Sequence, residues 1–371
     1  MSKFITAAIS VVILIGFIAG CSESTGPKTP LVVPASYDSS GYSANTSAEY
    51  AVRGQMVALA NLMKTGRTQG VAVSLAALTA AYEPLAPITG EYYRLYVPGY
   101  LIELSMASGG SYDWQSTPSV TSSGGVYSGY LFQESGLEIE QLVDKGLYAA
   151  ALYNRASVLM DGDVSTASID RIIALFGAHP TFPNTDKAAS NADKFAANYA
   201  ARRDQNDGKG LYTKFKVASI TAQAAARAGA EYKTELAAAL ATMRETWERA
   251  LIATVINYTY AVVDGLSATT VTDASRAGAM HAYGECVGFL HGWKAVRQSS
   301  RTITDAQIGT LLGLLQAPAD GPWTSYLIWQ NPVSFLANVN DARALIKSIY
   351  GFTETEMESF KTNWVVTQNR Q

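Results

Sequence analysis

Two side chains in the second half of this chain have the chemistry and spacing of a partial metal site. His281 and Glu285 are four residues apart, which places both on one face of a helix. A neutral imidazole and a carboxylate on adjacent turns bind divalent metals such as iron or zinc inside helical bundles. One or two more ligands would have to come from facing helices, and Glu248 and Asp170 are the candidates. The alternative is a hydrogen-bonded pair without a metal.

The sequence offers little else for catalysis. It contains no Gly-x-Ser-x-Gly, no His-Glu-x-x-His and no glycine-rich phosphate loop after a strand. Cys286 is five residues from His281, which places the two on different helical faces, and we expect a buried structural thiol. We therefore expect a protein that is not an enzyme.

Helices must position these residues, because apolar residues recur at helical spacing from Gly136 onward and no strand-like alternation occurs. Thr46 and Glu49 have capping-box spacing at the start of the first helix, and Gly177 and Gly351 are suited to end helices. Small residues in the long segments favour close antiparallel packing, so we predict an all-α helical bundle. Further predicted helices cover residues 71–82, 137–160, 165–176, 191–203, 211–228, 232–263, 272–297, 304–316 and 340–350.

The segment near residues 83–131 differs from the rest, because it is rich in Tyr, Gly and Pro. It predicts a long irregular excursion with one short helix at 90–96 or at 101–107. Its aromatic side chains could stack on sugar rings or on a porphyrin. A lid that packs over the end of the bundle is the alternative.

Residues 1–20 have the features of a signal peptide. Lys3 precedes an uncharged apolar run at 5–19 that ends in Ala19-Gly20-Cys21. The run is shorter than the roughly 20 residues that a membrane-spanning helix needs. Its end resembles the lipobox of bacterial lipoproteins, which implies cleavage before Cys21, acylation there and stable anchoring by several acyl chains. Ser22 resembles an outer-membrane sorting signal, so we expect the bacterial outer membrane.

Composition divides the chain after the signal peptide into a predicted tether and a predicted helical body. Residues 21–46 are rich in small and polar types and predict a flexible tether. Residues 47–371 suffice for one large helical body or for two packed bundles at about 47–204 and 205–371. The 28 basic and 31 acidic residues provide no basic surplus for nucleic acid. With Cys21 acylated, Cys286 has no disulfide partner, so packing must supply the stability.

An ordered set of short segments carries a family resemblance. The segments are Gly54-Gln55, Leu62-Met63-Lys64-Thr65, Gln141-Leu142-Val143-Asp144-Lys145-Gly146-Leu147, Phe176-Gly177 with Phe182-Pro183, Tyr199 with Arg203-Asp204, Trp247-Glu248, His281 with Glu285, and Ile349-Tyr350-Gly351. Together they resemble the lipoprotein family known as domain of unknown function 4856, which is distantly imelysin-like. The resemblance covers about residues 46–352 and implies an exported all-helical module associated with iron or haem acquisition. It also implies site roles for His281, Glu285, Glu248 and Asp170.

The chain departs from that family pattern at several candidate ligands. Family members tend to carry His before Asp170 where this chain has Ser168-Ile169, His before Tyr258 where it has Asn257, and Glu where it has Arg171. The imelysin-like Gly-x-His-x-x-Glu signature begins at Gly177-Ala178-His179 but meets Phe182 in place of its glutamate. Any metal site implied by the resemblance therefore has fewer ligands in this chain than in the family.

These observations favour a lipid-anchored extracytoplasmic helical module that binds a small ligand, a metal or an envelope receptor. The resemblance links it to iron or haem uptake, and iron or another divalent metal is the cofactor that the candidate ligands imply. One alternative is an imelysin-like metallohydrolase. Another is a structural accessory of an outer-membrane receptor.

Overall fold

The computed structural model describes residues 28–119 and 121–371. The predicted signal peptide and the lipid attachment site Cys21 lie outside the described residues. The described chain is mostly helical, which confirms the all-α prediction. Its α-helices are Tyr42–Asn45 (α1), Ser47–Thr65 (α2), Leu75–Tyr82 (α3), Glu91–Ala107 (α4), Ile139–Leu147 (α5), Asn154–Asp161 (α6), Thr166–Phe176 (α7), Phe195–Arg203 (α8), Leu211–Ala228 (α9), Lys233–Ser267 (α10), Asp273–Trp293 (α11), Asp305–Leu314 (α12), Tyr326–Gln330 (α13), Pro332–Tyr350 (α14), Glu354–Ser359 (α15) and Trp364–Thr367 (α16).

Helix α10, which has 35 residues, runs through the centre of the body. It packs against α8, α9, α11 and α14. By length and composition alone it could span a membrane, but most of its apolar stretch is buried among these neighbours. Its apolar character is therefore accounted for by its place in the core.

One continuous hydrophobic core joins the two halves of the chain. Phe176 of α7 stacks on Phe215 of α9 with ring centroids 3.7 Å apart, and both rings contact Trp247 of α10. This core includes residues on both sides of residue 204, and the choice between one helical body and two packed bundles at about 47–204 and 205–371 stays a prediction.

A stripe of glycines allows α11 to lie directly against α5. Gly284, Gly288 and Gly292 are spaced four residues apart on one face of α11. A Cβ at Gly288 would lie 2.5 Å from the backbone oxygen of Gln141, and a Cβ at Gly292 would overlap the backbone oxygen of Gly146. The two backbones are in contact, and this contact fixes which α5 side chains face α11.

Helix α5 continues into α6 through a π-helical segment, Tyr148–Tyr153. Such wide turns leave some backbone groups without their regular helical hydrogen bonds. Here the oxygen of Ala150 accepts a hydrogen bond of 2.7 Å from the amide of Gly90, just before α4. The helical rod predicted over residues 137–160 is therefore present, with α4 attached at its middle.

The predicted irregular excursion near residues 83–131 is wrong for its first half. Helix α4 runs through Pro98 and merges the two short helices that we considered as alternatives. Pro98 is exposed, while Tyr93, Val97 and Leu101 are buried. Their packing outweighs the roughly 3 kcal/mol that an interior proline costs a helix.

The second half of the excursion forms a small hairpin. Strands Gly125–Tyr127 (β1) and Tyr130–Phe132 (β2) pair antiparallel. The two connecting residues, Ser128 and Gly129, both have positive φ, at 47° and 88°. These dihedrals suit a two-residue turn that matches the twist of the strands. The hairpin places Tyr130 over α11.

Part of the predicted tether packs on the body, at residues 37–46. Tyr37 and Tyr42 are buried, and the Tyr37 hydroxyl donates to Asp170 at 2.5 Å. The expected capping box is also wrong, because the Thr46 hydroxyl donates to the backbone of Tyr42 and caps no amide of α2. Glu49 is instead buried and pairs with arginines of α6 and α7.

Candidate functional site

His281 and Glu285 face each other on α11, as predicted. Oε2 of Glu285 lies 3.6 Å from Nε2 of His281. The other ring nitrogen, Nδ1, lies 2.6 Å from Oε2 of Glu138, which directly precedes α5. The imidazole therefore has a carboxylate at each nitrogen, and its side chain is 24% exposed.

This environment favours the protonated ring of His281. Burial lowers its pKa, but the hydrogen bond to Glu138 and the charges of Glu138 and Glu285 outweigh burial, so the pKa is raised. Tyr130 stacks on the ring with centroids 4.6 Å apart and planes 23° apart. On the same tyrosine, the Arg67 guanidinium carbon lies 4.9 Å from the ring centroid. The two cations thus attach the hairpin to α2 and α11.

Arg67 also neutralises two buried glutamates. Its Nη2 lies 2.9 Å from Oε1 of Glu138, and its Nε lies 2.6 Å from Oε2 of Glu140. Burial and the charge of Glu138 raise the pKa of Glu140, and the charge of Arg67 opposes them. The pairing allows two adjacent carboxylates to be buried at the α5 start.

Lys145 occupies the other side of Glu285. Its Nζ lies 2.7 Å from Asp144 and 3.4 Å from Oε1 of Glu285, and the Tyr199 hydroxyl donates to the same Glu285 oxygen at 3.4 Å. Burial lowers the pKa of Lys145, but Asp144, Tyr199, Tyr148 and Glu285 together outweigh burial, so the pKa of Lys145 is raised. We call the following seven residues the charged cluster: Arg67, Glu138, Glu140, Asp144, Lys145, His281 and Glu285.

The charged cluster does not fit a divalent metal. The oxygens of Glu138 face Arg67 and His281, and those of Glu285 face Lys145 and His281. A metal would have to displace a cation and deprotonate the imidazolium. Within residues 28–119 and 121–371, no three His, Cys, Asp or Glu side chains are grouped to hold a metal ion.

The other two candidate ligands lie elsewhere, so the structure does not bring the four predicted residues together. Asp170 accepts from the Tyr37 hydroxyl and from the Asn45 amide at 2.7 Å. Glu248 accepts from the amides of Thr302 and Ile303, at 2.7 and 2.9 Å, and from the Tyr350 hydroxyl at 2.7 Å. Both carboxylates therefore hold chain segments against the core, and neither reaches His281.

Sequence reasoning missed Glu138, Glu140, Lys145 and Arg67. All of α5 is buried, including its charged residues, and such residues need partners in the fold. Four charged residues inside the segment 138–145 of a predicted core helix could have indicated a buried ionic cluster. The partner Arg67 could not have been found, because only the fold brings it to α5.

The raised pKa of His281 predicts a pH-dependent stability. A raised pKa contributes stability below the ordinary value of about 6.5, and the contribution is lost as the pH rises through the raised value. We expect the stability advantage of the wild type over His281→Gln to be full below about pH 6.5 and to shrink as the pH rises above it. Urea unfolding at each pH measures it. Arg67, Glu138, Glu140, Asp144, Lys145 and Glu285 are common to both proteins, and an advantage that grows with pH would contradict the assignment.

A separate cavity of about 520 Å³ lies between α4, the turn at 133–136 and the loop at 315–325. We call it the aromatic groove, and its aromatic lining consists of Tyr96, Tyr100 and Trp323. Its charged lining residues are the carboxylates Glu103, Glu134 and Asp320. Behind it, both nitrogens of the buried His291 contact tyrosine hydroxyls, and burial lowers the pKa of His291 to about 4. The histidine beneath the groove is therefore neutral at physiological pH.

Comparison with known proteins gives no relative: no family model, no curated protein and no solved structure matches this chain. The resemblance to the family of domain of unknown function 4856, and the imelysin-like details of the fold, stay predictions. The function has to be argued from the geometry.

Proposed function

We propose that this chain is a lipid-anchored module of the bacterial cell envelope whose helical body binds a small ligand in the aromatic groove. The observation that carries the binding role is the groove itself, a cavity lined by aromatic faces and carboxylates at the junction of three chain segments. Cavities that combine aromatic side chains with a few placed polar groups are typical of small-ligand binding.

The anchor rests on the sequence of residues 1–21. The described chain begins at Lys28, which pairs with Glu235 at 2.7 Å near the start of α10. Only a short stretch therefore separates Cys21 from the body, so the body would be held close to the bilayer. Release of a Cys21→Ser variant into the non-membrane fraction is the corresponding test.

In this proposal the charged cluster has a structural role. Each of its carboxylates has a cation beside it, and neither His281 nitrogen is left for substrate. The metallohydrolase alternative would need a metal that this cluster does not fit. Burial and the nearby Glu285 raise the pKa of the Cys286 thiol well above its ordinary value, which argues against its use as a nucleophile.

The link to iron or haem acquisition is part of the proposal only through the resemblance. His281 and His291 have both ring nitrogens in contact with protein groups. An iron or haem ligand would therefore have to bind through other groups. The groove could receive a flat aromatic ligand by stacking, as could a sugar or an amine.

Thermal unfolding with a panel of ligands tests the binding role. Choline, N-acetylglucosamine, haemin and ferric citrate are added separately to the wild type, to Trp323→Ala and to the control Trp364→Ala. We expect at least one probe to stabilise the wild type and the control, by about 2.7 kcal/mol at one hundred times its Kd, but not Trp323→Ala. Stabilisation that survives in Trp323→Ala, or none with any probe, would contradict binding in the groove.

A further inference from the structure

We propose that the aromatic groove selects an organic cation, an amine or quaternary ammonium held between the carboxylates of Glu103 and Glu134 and the faces of Tyr100 and Trp323. This inference rests on the proposed function and names its ligand class. It is carried by the arrangement of rings and charges around one cavity.

The three aromatic side chains that line the groove lie next to one another, and we call them the platform. Tyr96 and Tyr100 lie with centroids 6.1 Å apart and planes 28° apart. Tyr100 and Trp323 lie 5.8 Å apart with planes at 38°. Faces of aromatic rings attract cations through their quadrupole, and tryptophan does so most strongly. The platform therefore suits a ligand whose charge is spread over methyl or methylene groups.

The charge of the groove is unbalanced. Glu103 is half-buried, and its closest donor is Nε2 of Gln133 at 3.5 Å. Among the residues that the structure describes, no lysine or arginine forms an ion pair with Glu103 or Glu134. Burial, with the charge of Glu134, raises the pKa of Glu103. A bound cation would supply the missing countercharge.

Asp320 at the rim is already paired, so it is not the main determinant. It accepts from the Tyr96 hydroxyl at 2.6 Å and lies 3.3 Å from Nζ of Lys294. Lys294 thereby marks one edge of the groove, while the Glu103 and Glu134 side keeps its negative charge. A neutral sugar would leave that charge uncompensated.

The walls of the groove are held before any ligand binds. Ser325 Oγ donates to the backbone oxygen of Ser135 at 2.8 Å, which joins the loop at 315–325 to the turn at 133–136. Within that loop, the amide of Thr324 donates to the oxygen of Gln316 at 2.9 Å. A site that is ordered in advance loses less conformational entropy on binding.

Calorimetric titration with choline and with its uncharged isostere 3,3-dimethyl-1-butanol tests the proposal. We expect choline to bind the wild-type body and the neutral isostere to bind at least about tenfold more weakly, because a charged contact worth about 1.4 kcal/mol changes affinity tenfold. Glu103→Gln should weaken choline binding by a similar factor, and Trp323→Ala should weaken it as well. Glu83→Gln, which removes an exposed carboxylate outside the groove, is the matched control.

The outcomes separate the ligand class from the binding role. Three results would overturn the assignment of an organic cation while the groove keeps its binding role. They are equal binding of choline and its isostere, binding of calcium ions in place of choline, and binding of N-acetylglucosamine only. Choline affinity unchanged in Glu103→Gln would overturn it too. No binding of any probe, or binding indifferent to Trp323→Ala, would overturn both proposals.

Discussion

Replacing Lys145 with methionine is expected to destabilise the body by about 3–5 kcal/mol. The ammonium of Lys145 lies between Asp144 and Glu285, and all three side chains are at most 10% exposed. Methionine fills a similar volume but leaves Asp144 buried without its cation and Glu285 with His281 alone. The free energy of unfolding, measured by urea denaturation at neutral pH, gives the loss.

Two further variants identify charge as the cause. Lys64→Met removes an exposed lysine near the end of α2 and should change stability by less than about 0.5 kcal/mol. Adding Asp144→Asn to Lys145→Met should recover part of the loss, because the carboxylate that lost its only cation is removed. If Lys145→Met unfolds at the wild-type urea concentration, the charged cluster does not hold α5 to α11.

Gly292→Ala is expected to cost about 3 kcal/mol, the upper part of the range for overpacking a core. The added methyl would overlap the backbone of Gly146, and a backbone cannot rotate away as a flexible side chain can. The helices would have to separate, which would also disturb Lys145 one residue before Gly146. Thermal or urea unfolding measures the effect.

The same helix supplies the control for this substitution. A Cβ at Gly278 would meet nothing within 4 Å, so Gly278→Ala should stabilise α11 by up to about 1 kcal/mol through helix propensity. Between the two, Gly284→Ala should have a smaller cost than Gly292→Ala, because its nearest contact, at 3.1 Å, is the Glu138 side chain. Equal effects at Gly278 and Gly292 would show that the two backbones are not in contact.

Local signals predicted the helices well, because they report on neighbours in sequence. Gly177 and Gly351 end their helices as expected, with positive φ of 101° and 62°. Helix α4 was missed because Pro98 is a local breaker, while the packing that overrides it comes from distant chain segments. The burial of Tyr37 was missed for the same reason.

The sequence predicted only part of the candidate site. The i, i+4 spacing placed His281 beside Glu285, and the structure confirms this. Glu138, 143 residues away, completes the environment of the imidazole, and no spacing rule could have selected it. The sequence could not distinguish a metal ligand from a paired imidazolium, because the difference lies in which cations stand next to each carboxylate.

The location of the binding site can be measured on the protein itself by following the indole N–H signals of its six tryptophans during ligand titration. With any probe that stabilises the body, our account predicts that the NMR signal of Trp323 shifts with ligand concentration, while that of Trp364 does not. The ring signals of His281 should not shift with ligand concentration. Shifts confined to His281 and its neighbours, with the Trp323 signal unchanged, would place the binding at the charged cluster and contradict the account.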